Sequence, residues 1–129
     1  AREVGKQMLK QKSGRIVNLA SQAALVALDG HLAYCASKAG VLGMTRVMAM
    51  EWGPEGITVN AISPTVVETE LGAGGYWSGE TGANFKAKVP ARRFAQPEEI
   101  AMSALYLVSG AAGMVNGENL VVDGGYTAT

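Results

Sequence analysis

Short apolar runs alternate with helix-like stretches along this chain, and that alternation limits the possible folds more than any other feature. The runs cover residues 15–21, 57–62 and 119–122, and each is nearly continuous in apolar or β-branched residues. Such runs are typical of strands that are covered on both faces of a parallel sheet. Helices between successive parallel strands form right-handed crossovers. The sequence therefore predicts an α/β fold with three parallel strands and flanking helices.

Helix boundaries follow from apolar spacing and from stop signals. Small and apolar residues recur at helical spacing from Tyr34 to about Trp52, where Gly53-Pro54 ends the pattern. Gln96-Pro97-Glu98-Glu99 is typical of a helix start, and Ser109-Gly110 is typical of a helix end. These boundaries place one helix in each interval between the predicted strands.

The chain is expected to be part of a larger fold. Three strands leave at least one edge of the sheet unpaired. A helical pattern is already under way at Ala1, without a cap, and it continues to Lys12. Both observations favour further structure upstream of this segment.

The stretch from residue 70 to 96 differs in composition from the rest of the chain. It is rich in Gly, Ala and polar residues, with Tyr76, Trp77 and Phe85 scattered through it. We interpret it as a mobile insertion, and as a lid over a substrate site.

Composition excludes several classes of function. The chain has 129 residues, 48% of them hydrophobic, and its 11 basic residues balance 11 acidic ones. This balance argues against nucleic-acid and membrane partners and favours a small neutral molecule. Cys35 is the only cysteine and His31 the only histidine, which excludes an intrachain disulfide and argues against a His/Cys metal cluster. With short apolar runs and no recognisable signal peptide, a cytoplasmic location is expected.

Tyr34 and Lys38 are the residues that most directly indicate chemistry. They are four positions apart, so on a helix both side chains lie on one face. A phenol is a weak base at neutral pH, but a nearby ammonium group stabilises the phenolate. The tyrosine can then exchange a proton with an alcohol or a carbonyl oxygen. Taken alone, the pair favours an ordinary amphipathic helix with a snorkelling lysine.

The neighbourhood of the pair strengthens the catalytic interpretation. Ser21 ends the first predicted strand, and residues 63–69 leave the second strand at the same edge of the sheet. In parallel α/β sheets, ligands bind at the carboxyl ends of the strands. We therefore expect these segments and the helix at Tyr34 to converge on one site.

At this point the chain resembles the short-chain dehydrogenase/reductase family. The resemblance rests on four segments in the family's order and spacing: GRIVNLAS, YCASKAG, GITVNAISP and NLVVDGG. It covers essentially the whole chain but only the carboxyl-terminal half of the family's usual length. It implies that residues 1–129 are the carboxyl-terminal part of a single NAD(P)-binding, Rossmann-type, doubly wound domain. The glycine-rich phosphate loop and the residue that selects NAD or NADP would precede Ala1, so the cofactor preference stays open.

The resemblance also implies roles for individual residues. Tyr34 would be the catalytic acid/base, Ser21 would hold the same substrate oxygen, and Lys38 would assist Tyr34 and bind the nicotinamide ribose. For the cofactor, the family positions that wall the nicotinamide and fix its carboxamide correspond to Pro64, Val67 and Thr69.

One residue departs from the family pattern. Thr65 stands where a glycine is usual, so a side chain occupies a position of normally close approach. The backbone at this position is therefore open to question.

Several functions remain open within and beyond this family. The segments VVETELG and VPARRFAQPEEIA, with the lid, look most like members that interconvert polyols or sugar alcohols and their ketones. A 3-oxoacyl thioester reductase of the same family is the alternative, and a non-catalytic binding module is the alternative from another class. The resemblance further implies a homo-oligomer, dimer or tetramer, formed through the helix at 34–52 and the end of the chain.

Other polar residues are expected to have structural or solvent-exposed positions. We expect a solvated loop for His31, with substrate or subunit contact as the alternative, and packing for Cys35 rather than reactivity. Glu68 and Glu70 are expected in solvent, and two amides inside apolar strands are expected to bond loops: Asn18 and Asn60.

Overall fold

The computed structural model describes residues 2–70 and 75–129. Its helices are α1 (Arg2–Gln11), α2 (Leu32–Trp52), α3 (Gly79–Lys88) and α4 (Pro97–Val108). Its strands are β1 (Gly14–Leu19), β2 (Ile57–Pro64) and β3 (Asn119–Val122). Ala1, where the helical pattern of the sequence begins, and residues 71–74 of the predicted lid lie outside the described residues.

The strands form one parallel sheet in the order β1-β2-β3. Gly14 to Leu19 pair with Ile57 to Ile62, and Ala61 to Pro64 pair with Asn119 to Val122. The predicted α/β class, with three parallel strands and flanking helices, is confirmed. Because all strands run the same way, their carboxyl ends lie at one edge of the sheet.

The core lies between the sheet and helices α1 and α2. Met48 and Ala49 of α2 pack on Ile57 and Val59, which are completely buried. Leu42 packs farther along on Ala20 and Ala61. Burying a Val or Ile side chain contributes about 1.5–3 kcal/mol, so β2 stabilises the fold more than an edge strand would.

The other face of the sheet is covered by α4. Side chains alternate along a strand, so Asn60 and Ile62 point away from the α2 face. Both are buried, and α4 contacts all three strands. Leu107 of α4 is 1% exposed. Helices therefore cover both faces of β2, which explains its nearly continuous apolar sequence.

Two asparagines inside the strands satisfy their amides with structural hydrogen bonds. The Asn60 Nδ2 donates to the Val115 carbonyl, and the Asn60 Oδ1 accepts from the Glu118 N–H. These loop contacts confirm the prediction for Asn60. The Asn18 Nδ2 instead donates to Thr45 Oγ1 at 3.0 Å. The prediction that Asn18 bonds to a loop was wrong, because helix α2 covers its face of the strand.

Helix α3 lies inside the segment that the sequence assigned wholly to an irregular insertion. Gly79, Gly82 and Asn84 disfavour a helix, which hid it from a sequence pattern. Phe85 anchors it by packing with Val89 and Phe94 in a separate apolar cluster. Tertiary packing therefore supplies the stability that local propensity lacks.

The end of the chain is held by a buried carboxylate. The Asp123 Oδ1 accepts from the Gly125 N–H at 2.9 Å, and the Asp123 Oδ2 accepts from the Thr127 N–H and hydroxyl, both at 2.7 Å. Burial acts to raise the pKa of Asp123, but the hydrogen bonds from Thr127 and Gly125 outweigh it and hold that pKa below its usual range. The turn that the sequence indicated at 123–125 is thus fixed by its own aspartate.

Gly124→Ala should destabilise the protein by about 1–3 kcal/mol. Gly124 has a φ of +62°, and an added Cβ would lie 2.8 Å from the Ala91 Cβ and 2.9 Å from the Val89 Cγ1. The measurement is the free energy of unfolding from denaturant titration. Gly110→Ala is the control, because its added methyl meets nothing within 4 Å. Equal stabilities for the two variants would contradict this account.

Candidate functional site

A cavity of about 250 Å³ opens beyond the carboxyl ends of β1 and β2. Its walls come from the segment after β1, the start of α2, the segment after β2, and the residues before α3. The lining residues are Ser21, Gln22, Ala23, Leu28, His31, Tyr34, Thr65, Val66 and Trp77. The cavity therefore occupies the position where the sequence predicted a site.

Ser21 is held rigidly at the edge of this cavity. Its backbone is extended, with φ −170°, and it caps the short 3-10 helix Gln22–Ala24. The Ser21 Oγ accepts a hydrogen bond from the Ala23 N–H at 3.2 Å. Because that bond uses an oxygen lone pair, the hydroxyl hydrogen remains available to donate elsewhere. Ser21 is 8% exposed, so the donor lies in a largely dehydrated position.

Tyr34 and Lys38 lie one turn apart near the start of α2, as predicted. The Lys38 Nζ lies 5.7 Å from the centroid of the Tyr34 ring. It donates to the Leu19 carbonyl at the end of β1, at 2.9 Å. That bond fixes the ammonium group beside the tyrosine and leaves two of its three N–H groups for other acceptors. The Tyr34 side chain is partly exposed and lines the cavity.

The segment after β2 contributes its middle residues to the cavity. Thr65 and Val66 line it, whereas Pro64, Val67 and Thr69 flank them without doing so. The Thr65 N–H donates to the Val122 carbonyl at 3.0 Å and continues the pairing with β3.

The structure also shows which backbone conformation Thr65 adopts where the family has a glycine. Among the described residues, the non-glycine positions with positive φ are Lys12 and Arg92. Thr65 therefore needs no glycine-like conformation where the family resemblance places a glycine.

Comparison with known proteins now bears on this geometry. A family model described as Enoyl-(Acyl carrier protein) reductase, one of the short-chain dehydrogenase models, matches residues 1–127. The chain belongs to the short-chain dehydrogenase/reductase family. The expectation from the four sequence segments is therefore confirmed.

The relatives have names from polyol and sugar metabolism. The chain is 56% identical over 127 residues to an NAD-dependent glycerol dehydrogenase of Listeria innocua, covering 98% of this chain and 50% of the relative. It is 59% identical over 124 residues to a D-threitol dehydrogenase of Mycolicibacterium smegmatis, covering 96% and 47%. The chain thus spans about half the length of the curated relatives it matches.

A solved structure confirms the fold of the family. A gluconate 5-dehydrogenase of Burkholderia cenocepacia, solved with NADP and tartrate, superposes with a TM-score of 0.95 at 32% identity. The match covers 100% of this chain and 51% of that protein. The three strands and their helices are therefore those of the family's Rossmann-type sheet.

His31 is closer to the cavity than a solvated loop residue would be. It precedes the first residue of α2 and lines the cavity, and its Nδ1 lies 2.6 Å from the Asp29 carbonyl oxygen. Its ring makes edge contacts with Tyr34 and Tyr76. His31 is half-exposed in the segment before α2, so its expected loop position agrees with the structure, and its ring lies in the cavity wall as well. The packing of residues 75–77 over the start of α2, which the sequence does not reveal, explains its position.

Sequence reasoning did not identify five lining residues as part of the cavity wall: Gln22, Ala23, Leu28, Val66 and Trp77. Gln22 directly follows Ser21, so proximity in the chain was a usable signal. Trp77 was noted only as part of the lid. Its ring packs on that of Phe85 with 4.7 Å between the centroids and the two planes tilted by 60°, which connects the cavity wall to the apolar cluster of α3.

Two other expectations concern exposed or reactive groups. Glu68 and Glu70 are exposed, as predicted. Cys35 is half-buried and free of disulfide bonds. In the part of the chain that the structure describes, no cluster of three or more potential metal-ligating side chains occurs. No helix within residues 2–70 and 75–129 is long and apolar enough to span a membrane.

An ion pair between Arg93 and Glu99 lies next to the short parallel bridge that joins Ala95 to Val67 beside the cavity. Both guanidinium Nη atoms of Arg93 lie 2.7 Å from the Glu99 carboxylate oxygens. Glu99 also accepts from the Gln96 N–H, so it caps α4 just after Ala95. Ala95 pairs in turn with Val67 in a parallel bridge. The pair therefore helps to position the segment that carries Thr65 and Val66.

Low pH should lower the stability of the folded protein, because it protonates Glu99. The hydrogen bond from Arg93, followed by that from Gln96, lowers the pKa of Glu99 from 4.5 to about 2. Because the pKa of Glu99 is lower in the folded protein than in the unfolded chain, ionised Glu99 stabilises the folded protein at pH values above 4.5. This contribution to the free energy of unfolding is lost as the pH falls from 4.5 towards 2. Denaturant midpoints measured across this range should fall less steeply for Glu99→Gln than for the unmodified protein.

The matched control is Glu98→Gln, since Glu98 makes no ion pair among the described residues. It should retain the acid dependence of the unmodified protein. A Glu99→Gln curve that parallels the unmodified one would show that the ion pair does not couple to folding.

Proposed function

We propose that the chain is the carboxyl-terminal part of an NAD(P)-dependent oxidoreductase that interconverts a secondary alcohol, a polyol or sugar alcohol, and its ketone. The observation that supports this most is the convergence of Ser21 and Tyr34 on one cavity, with Lys38 anchored beside the tyrosine ring. A single Rossmann-type domain then includes residues 1–129 and an upstream half that holds the cofactor phosphates. Residues 70–96 act as its substrate lid.

The three side chains have complementary tasks in this proposal. Tyr34 takes the proton from the substrate hydroxyl during oxidation and returns it during reduction. Ser21 donates its free hydroxyl hydrogen to the same oxygen and stabilises negative charge that develops there. Lys38, held on the Leu19 carbonyl, keeps its positive charge beside the Tyr34 ring throughout the reaction.

The residues present fit a nicotinamide cofactor. Lys38 retains N–H donors that suit a ribose hydroxyl, and the segment from Pro64 to Thr69 begins at the carboxyl end of β2, where such cofactors bind. In our proposal Pro64 walls the nicotinamide, while Val67 and Thr69 hold its carboxamide. Held by these residues, NAD or NADP would supply the hydride transfer to or from the carbon that bears the reacting oxygen.

The substrate class is supported by the cavity and by the relatives. A volume of about 250 Å³ suits a molecule with few carbon atoms, and hydroxyl, amide and imidazole groups lie in its wall. Relatives named for glycerol and D-threitol oxidation take small polyols.

A 3-oxoacyl thioester is the second candidate substrate. It is favoured by the description of the matching family model, which names an acyl carrier protein. Assays with both substrate types separate the two candidates. Turnover of neither would favour a non-catalytic binding module.

We further propose that the protein is a cytoplasmic homo-oligomer, a dimer or tetramer. Helix α2 leaves apolar side chains on its surface, among them Met44, Val47 and Met50. Exposed apolar side chains on one helix are typical of a surface that another subunit covers.

Tyr34→Phe should abolish turnover in the full-length protein and leave its fold intact. The substitution removes the only hydroxyl that the proposal uses for proton transfer, and a rate loss of at least ~10²–10⁴-fold is expected. Steady-state kinetics with a polyol, together with circular dichroism, test it. Tyr106→Phe, at an exposed position of α4, serves as the control and should retain activity. A near-normal rate in Tyr34→Phe would refute the mechanism.

The isolated chain should bind nicotinamide cofactor much more weakly than the full-length protein. The phosphates of such cofactors are held at a helix N-terminus after a first strand, which the proposal places upstream. Calorimetric titration of both forms with NAD and NADP makes the comparison. Equal affinities would mean that the phosphate site does not lie upstream.

A further inference from the structure

Trp77 depends on helix α3 for its position in the cavity wall. A side chain at Gly82 of α3 would overlap the Trp77 carbonyl oxygen, so the helix lies directly against the backbone of Trp77. The Trp77 ring also contacts two other rings, those of Tyr76 and Phe85. Tyr76 is 66% exposed, whereas Phe85 of α3 is 6% exposed. The buried contact that fixes the Trp77 ring is therefore the one with Phe85.

Phe85 is supported in turn by a residue from another part of the chain. Its ring stacks on that of Tyr126, with 5.1 Å between the centroids and 21° between the planes. Phe94 also packs on Phe85, at 6.2 Å between the centroids, but it belongs to the same segment, residues 70–96, as Phe85 and Trp77. Among the described residues of this apolar cluster, Tyr126 is the aromatic residue that comes from outside that segment.

The turn after β3, residues 123–127, holds Tyr126 in place. The carboxylate of Asp123, which directly follows β3, accepts hydrogen bonds from the N–H groups of the residues on both sides of Tyr126. The Gly124 carbonyl accepts a hydrogen bond from the Ala91 N–H at 3.1 Å, which joins the turn to the chain just after α3. The sheet therefore supports α3, and the cavity wall that rests on it, through this turn.

We infer that Tyr126 is a positioning residue for the substrate: it supports Phe85, and through that ring it holds Trp77 in the cavity wall. The inference rests on the proposed function, in which this cavity binds the substrate. Among the described residues, Tyr126 is not one that lines the cavity, so it acts through other side chains. A displaced wall weakens substrate binding but leaves the proton transfer at Tyr34 in place. The KM for the substrate should therefore respond to Tyr126, and kcat should not.

The kinetic test uses Tyr126→Ala in the full-length protein with cofactor. The substrate is whichever of glycerol, erythritol and xylitol the unmodified protein oxidises fastest. The KM for this polyol should rise about three- to tenfold, the effect expected from one lost aromatic contact. Both kcat and the KM for the cofactor should stay unchanged. Tyr126→Phe keeps the stacked ring and should retain the KM of the unmodified protein.

Fluorescence of Trp77 supplies a readout that does not depend on activity. Its emission is obtained by subtracting the spectrum of the Trp77→Phe protein, both with Tyr126 in place and in the Tyr126→Ala background. Because the indole loses its buried support, its emission should shift to the red and acrylamide should quench it more strongly after Tyr126→Ala. In Tyr126→Phe the emission and the quenching should be those of the unmodified protein.

A control variant separates positioning from a general loss of stability. Ile57→Val removes one methyl group from the core on the α2 side of the sheet, away from the stacked rings. It should lower the melting temperature and leave the KM for the polyol and the quenching of Trp77 unchanged. If Tyr126→Ala does not fold, Tyr126→Leu takes its place, since it keeps apolar bulk without a ring, and it should raise the KM in the same way.

Several outcomes would overturn the positioning role while the oxidoreductase function stands. They are an unchanged KM in Tyr126→Ala, a rise that Tyr126→Phe or Ile57→Val shares, and unchanged quenching of Trp77. If the unmodified protein oxidises none of the three polyols, the proposed function fails, and the fluorescence alone decides whether Tyr126 positions Trp77.

Discussion

The parallel pairing of β1 with β2 is the constraint on which the site depends. Its register places Leu19 opposite Ile62, and the Ala20 N–H extends the pairing by donating to the Ile62 carbonyl at 2.8 Å. Ser21 therefore follows β1 at the level of Pro64, the last residue of β2. A shift of one residue would turn Ile57, Val59 and Ala61 away from α2 and move Ser21 away from Thr65. The core and the site are thus fixed by the same set of main-chain hydrogen bonds.

The features of the fold that follow from this strand pairing could be predicted from the sequence. Apolar β-branched runs predicted the strands, and the parallel direction predicted that Ser21, Tyr34 and residues 63–69 would meet at one edge. Periodicity also placed Tyr34 and Lys38 on one face of α2. These predictions succeeded because each depends on local pattern or on a rule of sheet topology rather than on side-chain packing.

The features that could not be predicted from the sequence depend on packing between segments that are far apart in the chain. Helix α3 has weak local propensity and exists because Phe85 joins Val89 and Phe94 in one cluster. The Tyr76 ring makes an edge contact with His31, a loop residue that also lines the cavity. Gln22 was overlooked because nothing in a sequence shows that an amide will be buried without a partner. In each case, the decisive contact joins residues that are far apart in sequence or depends on the detail of burial.

The site divides into groups that the backbone fixes and groups that it leaves free. The Ser21 Oγ is fixed by the Ala23 N–H, and the Lys38 Nζ is fixed by the Leu19 carbonyl. In the proposed mechanism these two must keep one position throughout the reaction, so a main-chain partner suits them. Gln22 Oε1 and Thr65 Oγ1 are buried without such a partner among the described residues, and an unpaired buried oxygen destabilises the folded protein. The site therefore combines two polar groups that the main chain holds in place with two that side-chain packing alone positions.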